Sequence, residues 1–224
     1  MTPLLSVGFF ESLQAIPANH LILALLVIAA YFIGNINPAI ILGKIYGVDV
    51  RSEGSGNAGT TNVLRTIGKK AGAITFAVDV LKGFIPVLLG VRFFGLPFGM
   101  ICGIAVILGH MWPALHELKG GKGVATTFGV LLAVEPLLAL LLIAIVLLTV
   151  LTVRMVSAGV VLAAIVAIPL GYFFNHWYAG WILFIAVLIV VKHFGNIKRI
   201  LNGTESKFSI GGKDKKNADD DKEI

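Results

Sequence analysis

The chain has 224 residues, of which 57% are hydrophobic and 13% charged, and its formal net charge is +6. Soluble domains carry about 25% charged residues, so this composition excludes an ordinary soluble enzyme and describes a chain that lives in lipid. In that setting the positive excess reads as the lysine and arginine bias of cytoplasmic loops and not as a nucleic-acid footprint. The single cysteine, Cys102, excludes an internal disulfide framework and sits in an apolar run as a small packing residue.

A helical crossing of a bilayer needs about 20 apolar residues. Apolar runs at about 21–42, 71–92, 97–115, 123–134, 136–153, 157–174 and 177–194 predict an all-α, polytopic integral membrane helical bundle with about seven transmembrane helices. After the first run comes Gly54 to Arg65, a dozen residues with three glycines, two asparagines, three hydroxyls and an arginine. Glycine-rich turns let backbone N–H groups converge on an anion, and an arginine adds a bidentate clamp. The second run contains Asp79 and Lys82, spaced i, i+3, and charges inside a span turn inward and pair. In the third run Gly95, Gly99 and Gly103 form a small-residue face for close helix packing, and His110 and His116 read as interfacial or structural.

A second polar cluster, Lys119-Gly120-Gly121-Lys122-Gly123, precedes the fourth run. It does not match a nucleotide P-loop, because His116 stands five positions before Gly121 and Gly123 follows Lys122. Freed backbone, a point charge and a following helix N-terminus still predict an anion site. The fourth run offers only about 17 Å of helix against a core of ~30 Å. It is either a half-span or the first arm of a helix kinked at Glu135-Pro136. Arg154 and Ser157 open the sixth run, and Ser157 is placed either to bond a phosphate or to cap the helix. The seventh run ends in His193, Asn196, Lys198 and Arg199, followed by Gly203-Thr204-Glu205. His193 and Asn196 share a face; proton acceptor, phosphate donor and simple interfacial residue all remain open for His193. Residues 1–210 read as one membrane-embedded domain, and 211–224 as a polar, disordered tail.

Basic residues alternate in a way that sets orientation. Lys44, Arg51, Arg65, Lys69 and Lys70 follow the first run, Lys119 and Lys122 the third, Arg154 the fifth, and Lys192, Lys198, Arg199 and Lys207 the seventh; only Arg92 lies opposite. The N-terminus is therefore expected outside and the C-terminus in the cytoplasm, with all three polar clusters on the cytoplasmic face. No metal-ligand spacing and no cofactor motif is apparent.

The runs Gly54–Arg65, Lys119–Thr126 and His193–Arg199 with Gly203-Thr204-Glu205, in that order, resemble the three signature loops of the bacterial acyl-phosphate:glycerol-3-phosphate acyltransferases, the PlsY family. Asp79-Val80-Leu81-Lys82-Gly83 and Gly109-His110 with Pro113 fit the same pattern, and the resemblance covers about residues 25–207. Ala58, Thr60 and Leu118 depart from it without removing a polar group. The resemblance implies transfer of an acyl chain from acyl phosphate to the 1-hydroxyl of glycerol 3-phosphate, giving lysophosphatidic acid and inorganic phosphate for phospholipid biosynthesis. It implies no cofactor, no direct use of acyl-CoA or acyl carrier protein, and a functional link to the enzyme that makes acyl phosphate. The expected setting is the bacterial cytoplasmic (inner) membrane, with the two substrates and the bilayer as partners and no nucleic acid.

Under that resemblance His193, Asn196, Lys122 and Ser55 are expected at the reacting centre. Asn57, Gly59, Asn62, Arg65, Lys119, Gly120, Gly121 and Ser157 are expected to bind phosphate, though sequence does not assign either phosphate to a loop. No histidine has an aspartate five residues later, and no Gly-x-Ser-x-Gly elbow is present. Direct displacement is then expected, with the proton taken by His193 or by the substrate's own phosphate. A transporter for an organic phosphate is the rival from another class, and an acyl-CoA-dependent acyltransferase the rival among enzymes.

Overall fold

The computed structural model describes residues 19–208; the tail predicted over 211–224 lies outside them. The described residues are all helix and loop. The first apolar run forms α1 (His20–Asn35) and α2 (Pro38–Ile45). Together they are long and apolar enough to cross a membrane, but the helix breaks at Ile36 and Asn37. Pro38 lacks the N–H that an unbroken helix would use and sits at the first position of α2. Asn37 caps the new start by accepting the Ile40 N–H at 3.2 Å.

A short helix, α3 (Thr60–Thr66), follows the first polar loop. Then come α4 (Lys69–Phe94) and α5 (Leu96–Met111), separated by Gly95, whose φ of 87° makes the turn. Gly95 is thus a hinge, and only Gly99 and Gly103 of the predicted stripe pack closely: Gly99 on Val87 and Val91, Gly103 on Val130 and Trp181. α5 is the central helix, with Phe98, Met100, Val106, Ile107 and Met111 buried. Cys102 is buried beside them.

α6 (Val124–Val134) has 11 residues, too few for a full crossing, and ends at Glu135-Pro136. It makes up for length with closeness to α4. A Cβ on Gly129 would overlap the Val80 carbonyl oxygen and lie 3.0 Å from Phe84 N. One on Gly83 would strike the Thr126 carbonyl in turn. Glycines at such a crossing let two backbones touch, the main source of helix association in lipid. α7 (Pro136–Val153) fully buries only Leu138, Ala139 and Leu142, packs Ile145 and Val146 partly against the core, and leaves Leu140, Leu147, Leu148 and Leu151 exposed. α8 (Val156–Phe174) packs on it, and α9 (Ala179–Lys192) packs on α8. At His193 the chain turns by 59° into α10 (Phe194–Leu201). Five segments are long and apolar enough to cross a membrane, or six if α9 and α10 count as one bent span. The remaining predicted span, the fourth run, is α6, the segment whose length was already in question.

Candidate active site

The three polar loops meet at one end of the bundle. Two buried systems hold them there. The first is an ion pair inside the helices: Lys82 Nζ lies 2.7 Å from Asp79 Oδ1, as the i, i+3 spacing predicted. The Asp79 approach is charge pairing without the alignment of a hydrogen bond. Lys82 also donates to the Ile36 carbonyl at 2.7 Å and lies 2.8 Å from His110 Nδ1. Ile36 O is free to accept because α1 breaks there, so the break and the buried lysine account for each other. His110, read from sequence as interfacial or structural, is structural and buried.

His110 carries the second polar loop on its back. Its carbonyl accepts the Gly121 N–H at 3.2 Å. A Cβ on Gly121 would strike the His110 ring and come within 2.9 Å of the Ala58 carbonyl. A Cβ on Gly120 would run into His110 O and Pro113. Both glycines thus serve backbone contact between loops, and the Gly121 N–H is already committed. Ala58 belongs to the first polar loop, so this contact joins loops 54–65 and 119–123.

Within the first loop, Asn62 is 1% exposed. It accepts the Ser55 N–H at 2.8 Å and donates to Val50 O at 2.7 Å and Glu53 O at 3.0 Å. Every polar atom of its amide is engaged inside the loop, so its place here is that of a clamp shaping the turn around Ser55. Gly54 and Gly56 supply the positive φ, 62° and 68°, that this turn needs. Ser55 and Arg65 stay exposed on the surface of this loop, and Asn57 is half-buried beside Gly59.

The second system is a chain of charges and amides. Lys122 Nζ donates to Asn196 Oδ1 at 2.5 Å, and Asn196 Nδ2 donates to Glu205 Oε1 at 2.6 Å. Ser157 Oγ donates to the same Glu205 oxygen at 2.6 Å, and Arg199 Nε reaches Glu205 Oε2 at 2.8 Å. Ser157 is not the helix cap, since Met155 holds that position. Glu205 thus ties α8, α10 and the second polar loop together, a role that sequence reasoning passed over. An isolated acid in a basic stretch was the available signal. Burial pushes the Glu205 carboxyl up, but hydrogen bonds from Ser157, Asn196 and Arg199 outweigh this and leave it below its usual range. Burial pushes the Lys122 ammonium down to about 8; Glu205 pulls it up, while Arg199 and Arg65 push it down. The Arg65 charge is therefore felt at Lys122, the electrostatic link between the first loop and this cluster.

His193 caps α9, 3% exposed, with Nδ1 2.8 Å from Ile189 O. A carbonyl only accepts, so Nδ1 carries the proton and Nε2 of a neutral ring keeps its lone pair. Lys119 lies at the exposed rim, 3.0 Å from Glu117.

Directly beneath this cluster lies an apolar slot of about 90 Å³ between α6, α7, α8 and α9. Its lining runs from Val124 to Leu131, from Val160 to Ala167 and from Ile182 to Ile189. Seven residues of helix span about 10 Å. The upper end, at Val124, Val160 and Ile189, adjoins Lys122, Ser157 and His193 in sequence; the lower end is Leu131, Ala139, Ala167 and Ile182. Thr127 is the one polar side chain in the lining, and its hydroxyl has no partner among the described residues.

The family model described as glycerol-3-phosphate acyltransferase matches residues 24–203. The chain belongs to the glycerol-3-phosphate acyltransferase family. It is similar to the glycerol-3-phosphate acyltransferase of Finegoldia magna, 43% identical over 194 residues covering 85% of this chain and 98% of the relative. That of Thermoanaerobacter pseudethanolicus is 46% identical over 186 residues, covering 81% and 93%. Among solved structures, the glycerol 3-phosphate form of PlsY, described as an integral membrane glycerol 3-phosphate acyltransferase, superposes with a TM-score of 0.81 at 41% identity, covering 84% of this chain and 96% of that one. The lysophosphatidic acid form superposes at 0.78 and 40% identity. The fold read from composition and the family read from three loops stand together: this chain is an all-helical integral membrane acyltransferase of the PlsY kind.

Proposed function

We propose that this acyltransferase moves a long acyl chain from acyl phosphate to the 1-hydroxyl of glycerol 3-phosphate, releasing lysophosphatidic acid and inorganic phosphate. The observation that carries the proposal is the junction of the Lys122–Asn196–Glu205–Ser157 cluster with the head of the apolar slot. A donor with a phosphate at one end and a greasy chain at the other fits such a junction. The solved relatives' glycerol 3-phosphate and lysophosphatidic acid forms supply the acceptor and the product by analogy.

In this reading Lys122, Ser157, Asn196, Ser55 and Arg65 hold phosphate and orient the hydroxyl, with Asn57, Gly59 and Lys119 beside them. Asn62, Gly120 and Gly121 shape the loops that carry these groups. The oxygen of the 1-hydroxyl attacks the acyl carbon, the bond from that carbon to the phosphate oxygen breaks, and phosphate leaves with the electron pair. The hydroxyl proton passes to the departing phosphate. Cations converging on the leaving group stabilise the charge that develops there, and an acyl phosphate is activated enough for positioning to supply much of the rest. The family match over residues 24–203 is in keeping with a single domain over residues 1–210, and the lysine and arginine pattern is in keeping with a bacterial cytoplasmic membrane, an outside N-terminus and the loops on the cytoplasmic side. It also supports a supply of acyl phosphate from a partner enzyme.

The test is turnover in detergent micelles, where no compartment exists for transport. Wild-type protein is expected to convert glycerol 3-phosphate and palmitoyl phosphate to lysophosphatidic acid; no acylation would favour the transporter. His193→Ala is expected to retain measurable turnover if the substrate phosphate takes the proton. Complete loss with the fold intact would make His193 Nε2 the base, and a trapped acyl-enzyme would replace direct displacement.

A further inference from the structure

Lys82 is buried, and its Nζ has three neighbours: Asp79 Oδ1 at 2.7 Å, Ile36 O at 2.7 Å and His110 Nδ1 at 2.8 Å. His110 Nδ1 also lies 3.4 Å from Asp79 Oδ1, so a donor and an acceptor compete for one ring nitrogen. The distances decide between them. Paired with the Asp79 carboxylate, Lys82 is an ammonium, which donates and never accepts. A proton on Nδ1 would face that donor across 2.8 Å, whereas Asp79 Oδ1 takes no aligned hydrogen bond. Nδ1 therefore accepts from Lys82, and a neutral ring then carries its proton on Nε2. This is the reverse of His193, whose Nδ1 faces a carbonyl.

Nε2 is the ring atom nearest Gly121. A Cβ on Gly121 would strike Nε2 and lie 2.9 Å from Ala58 O, so the ring N–H and that carbonyl flank one small gap between loops 54–65 and 119–123. A donor there attracts the carbonyl. The other tautomer would set a lone pair against it and push the loops apart. Ala58 lies between Ser55 and Arg65, and Lys122 follows Gly121, so the gap sets how far the groups of one loop stand from those of the other. We propose that Lys82 is a positioning residue for acyl transfer: it locks His110 in the Nε2–H tautomer, and that tautomer fixes the spacing of the two polar loops. The inference rests on the reading of these loops as phosphate sites.

The experiment uses full-length protein in detergent micelles with nitrogen-labelled histidine, read by NMR at neutral pH. The chain has five histidines, so H110Q assigns the His110 signals by difference. Wild type is expected to show a protonated Nε2 and an unprotonated Nδ1 at His110. Asp79 and Lys82 are then replaced together, because one buried charge left alone would threaten the fold, whereas apolar replacement of a buried pair is often neutral or stabilising. D79L/K82M is expected to keep or raise its thermal midpoint and to lose the dominance of the Nε2–H tautomer. Its kcat/KM for glycerol 3-phosphate should fall about ten- to a hundredfold, as for reacting groups misplaced by about 1 Å. A protonated Nδ1 at His110 in wild type overturns the proposal, whatever the stability of the variant. So does wild-type turnover in D79L/K82M, or lost turnover with the tautomer retained, since the pair would then serve packing alone. The nitrogen spectrum needs no acyl donor, so it separates failure of this proposal from failure of the acyl-phosphate reading.

Discussion

Lys122 and Glu205 form an electrostatic couple whose effect reaches the pH dependence. With its ammonium pushed down to about 8, Lys122 is charged below that pH and loses its proton above it. Phosphate binding needs the cation, so kcat/KM for glycerol 3-phosphate is expected to fall about fivefold between pH 8 and pH 9, and about tenfold for each further pH unit, as for loss of one essential proton. Glu205 raises the Lys122 value, so Glu205→Gln moves this alkaline limb to lower pH. A rate profile flat beyond pH 9, or one that Glu205→Gln leaves in place, contradicts the coupling. Which residues of this site could be read from sequence follows from how far their contacts reach. The Asp79–Lys82 pair was legible because i, i+3 is a local rule. The tie between Ser157 and Glu205 spans 48 residues and no local rule reports it. Asn62, Gly120 and Gly121 had the composition of a phosphate cradle, yet their polar atoms and missing Cβ serve the loop's own shape. Glycine and asparagine suit both tasks, and only contacts separate them.

At the scale of elements, two close approaches hold the site in place. α6 meets α4 through Gly129 and Gly83, so Gly129→Ala is expected to lower stability by about 1–3 kcal/mol, as overpacking of a tight interior does. Gly180, with nothing within 4 Å of a Cβ, is the control, and Gly180→Ala should leave the thermal midpoint unchanged. Equal melting of the two variants would mean that the α4–α6 crossing relaxes freely. The slot makes a separate prediction. Ala167 lies at its lower end, so Ala167→Phe should raise KM for palmitoyl phosphate and leave octanoyl phosphate nearly unaffected; the same change with both donors places the chain elsewhere. Most helices were visible as apolar runs with boundaries close to those observed. The break in the first was missed, although Pro38 marked it: proline starts a helix well and continues one badly. The seventh run was read as ending at 194, close to the turn at His193, but the second helix beyond it, α10, was not read, because Gly195 and polar residues follow there.

For the whole molecule, the proposed reaction needs a water-soluble acceptor and a lipid-like donor in one place, and the fold offers a setting for each. The loops carry the charge at one end of the bundle, and the slot below them is apolar but for Thr127. Three loops far apart in sequence converge because His110 supports the second, Ala58 touches it, and Glu205 binds the third to α8. The central claim concerns the donor. Purified protein is given glycerol 3-phosphate with either palmitoyl phosphate or palmitoyl-CoA, and lysophosphatidic acid and inorganic phosphate are both measured. The account predicts product with palmitoyl phosphate alone, at one phosphate released per acyl chain transferred. Product from palmitoyl-CoA at a comparable rate, or phosphate release without acyl transfer, would contradict it.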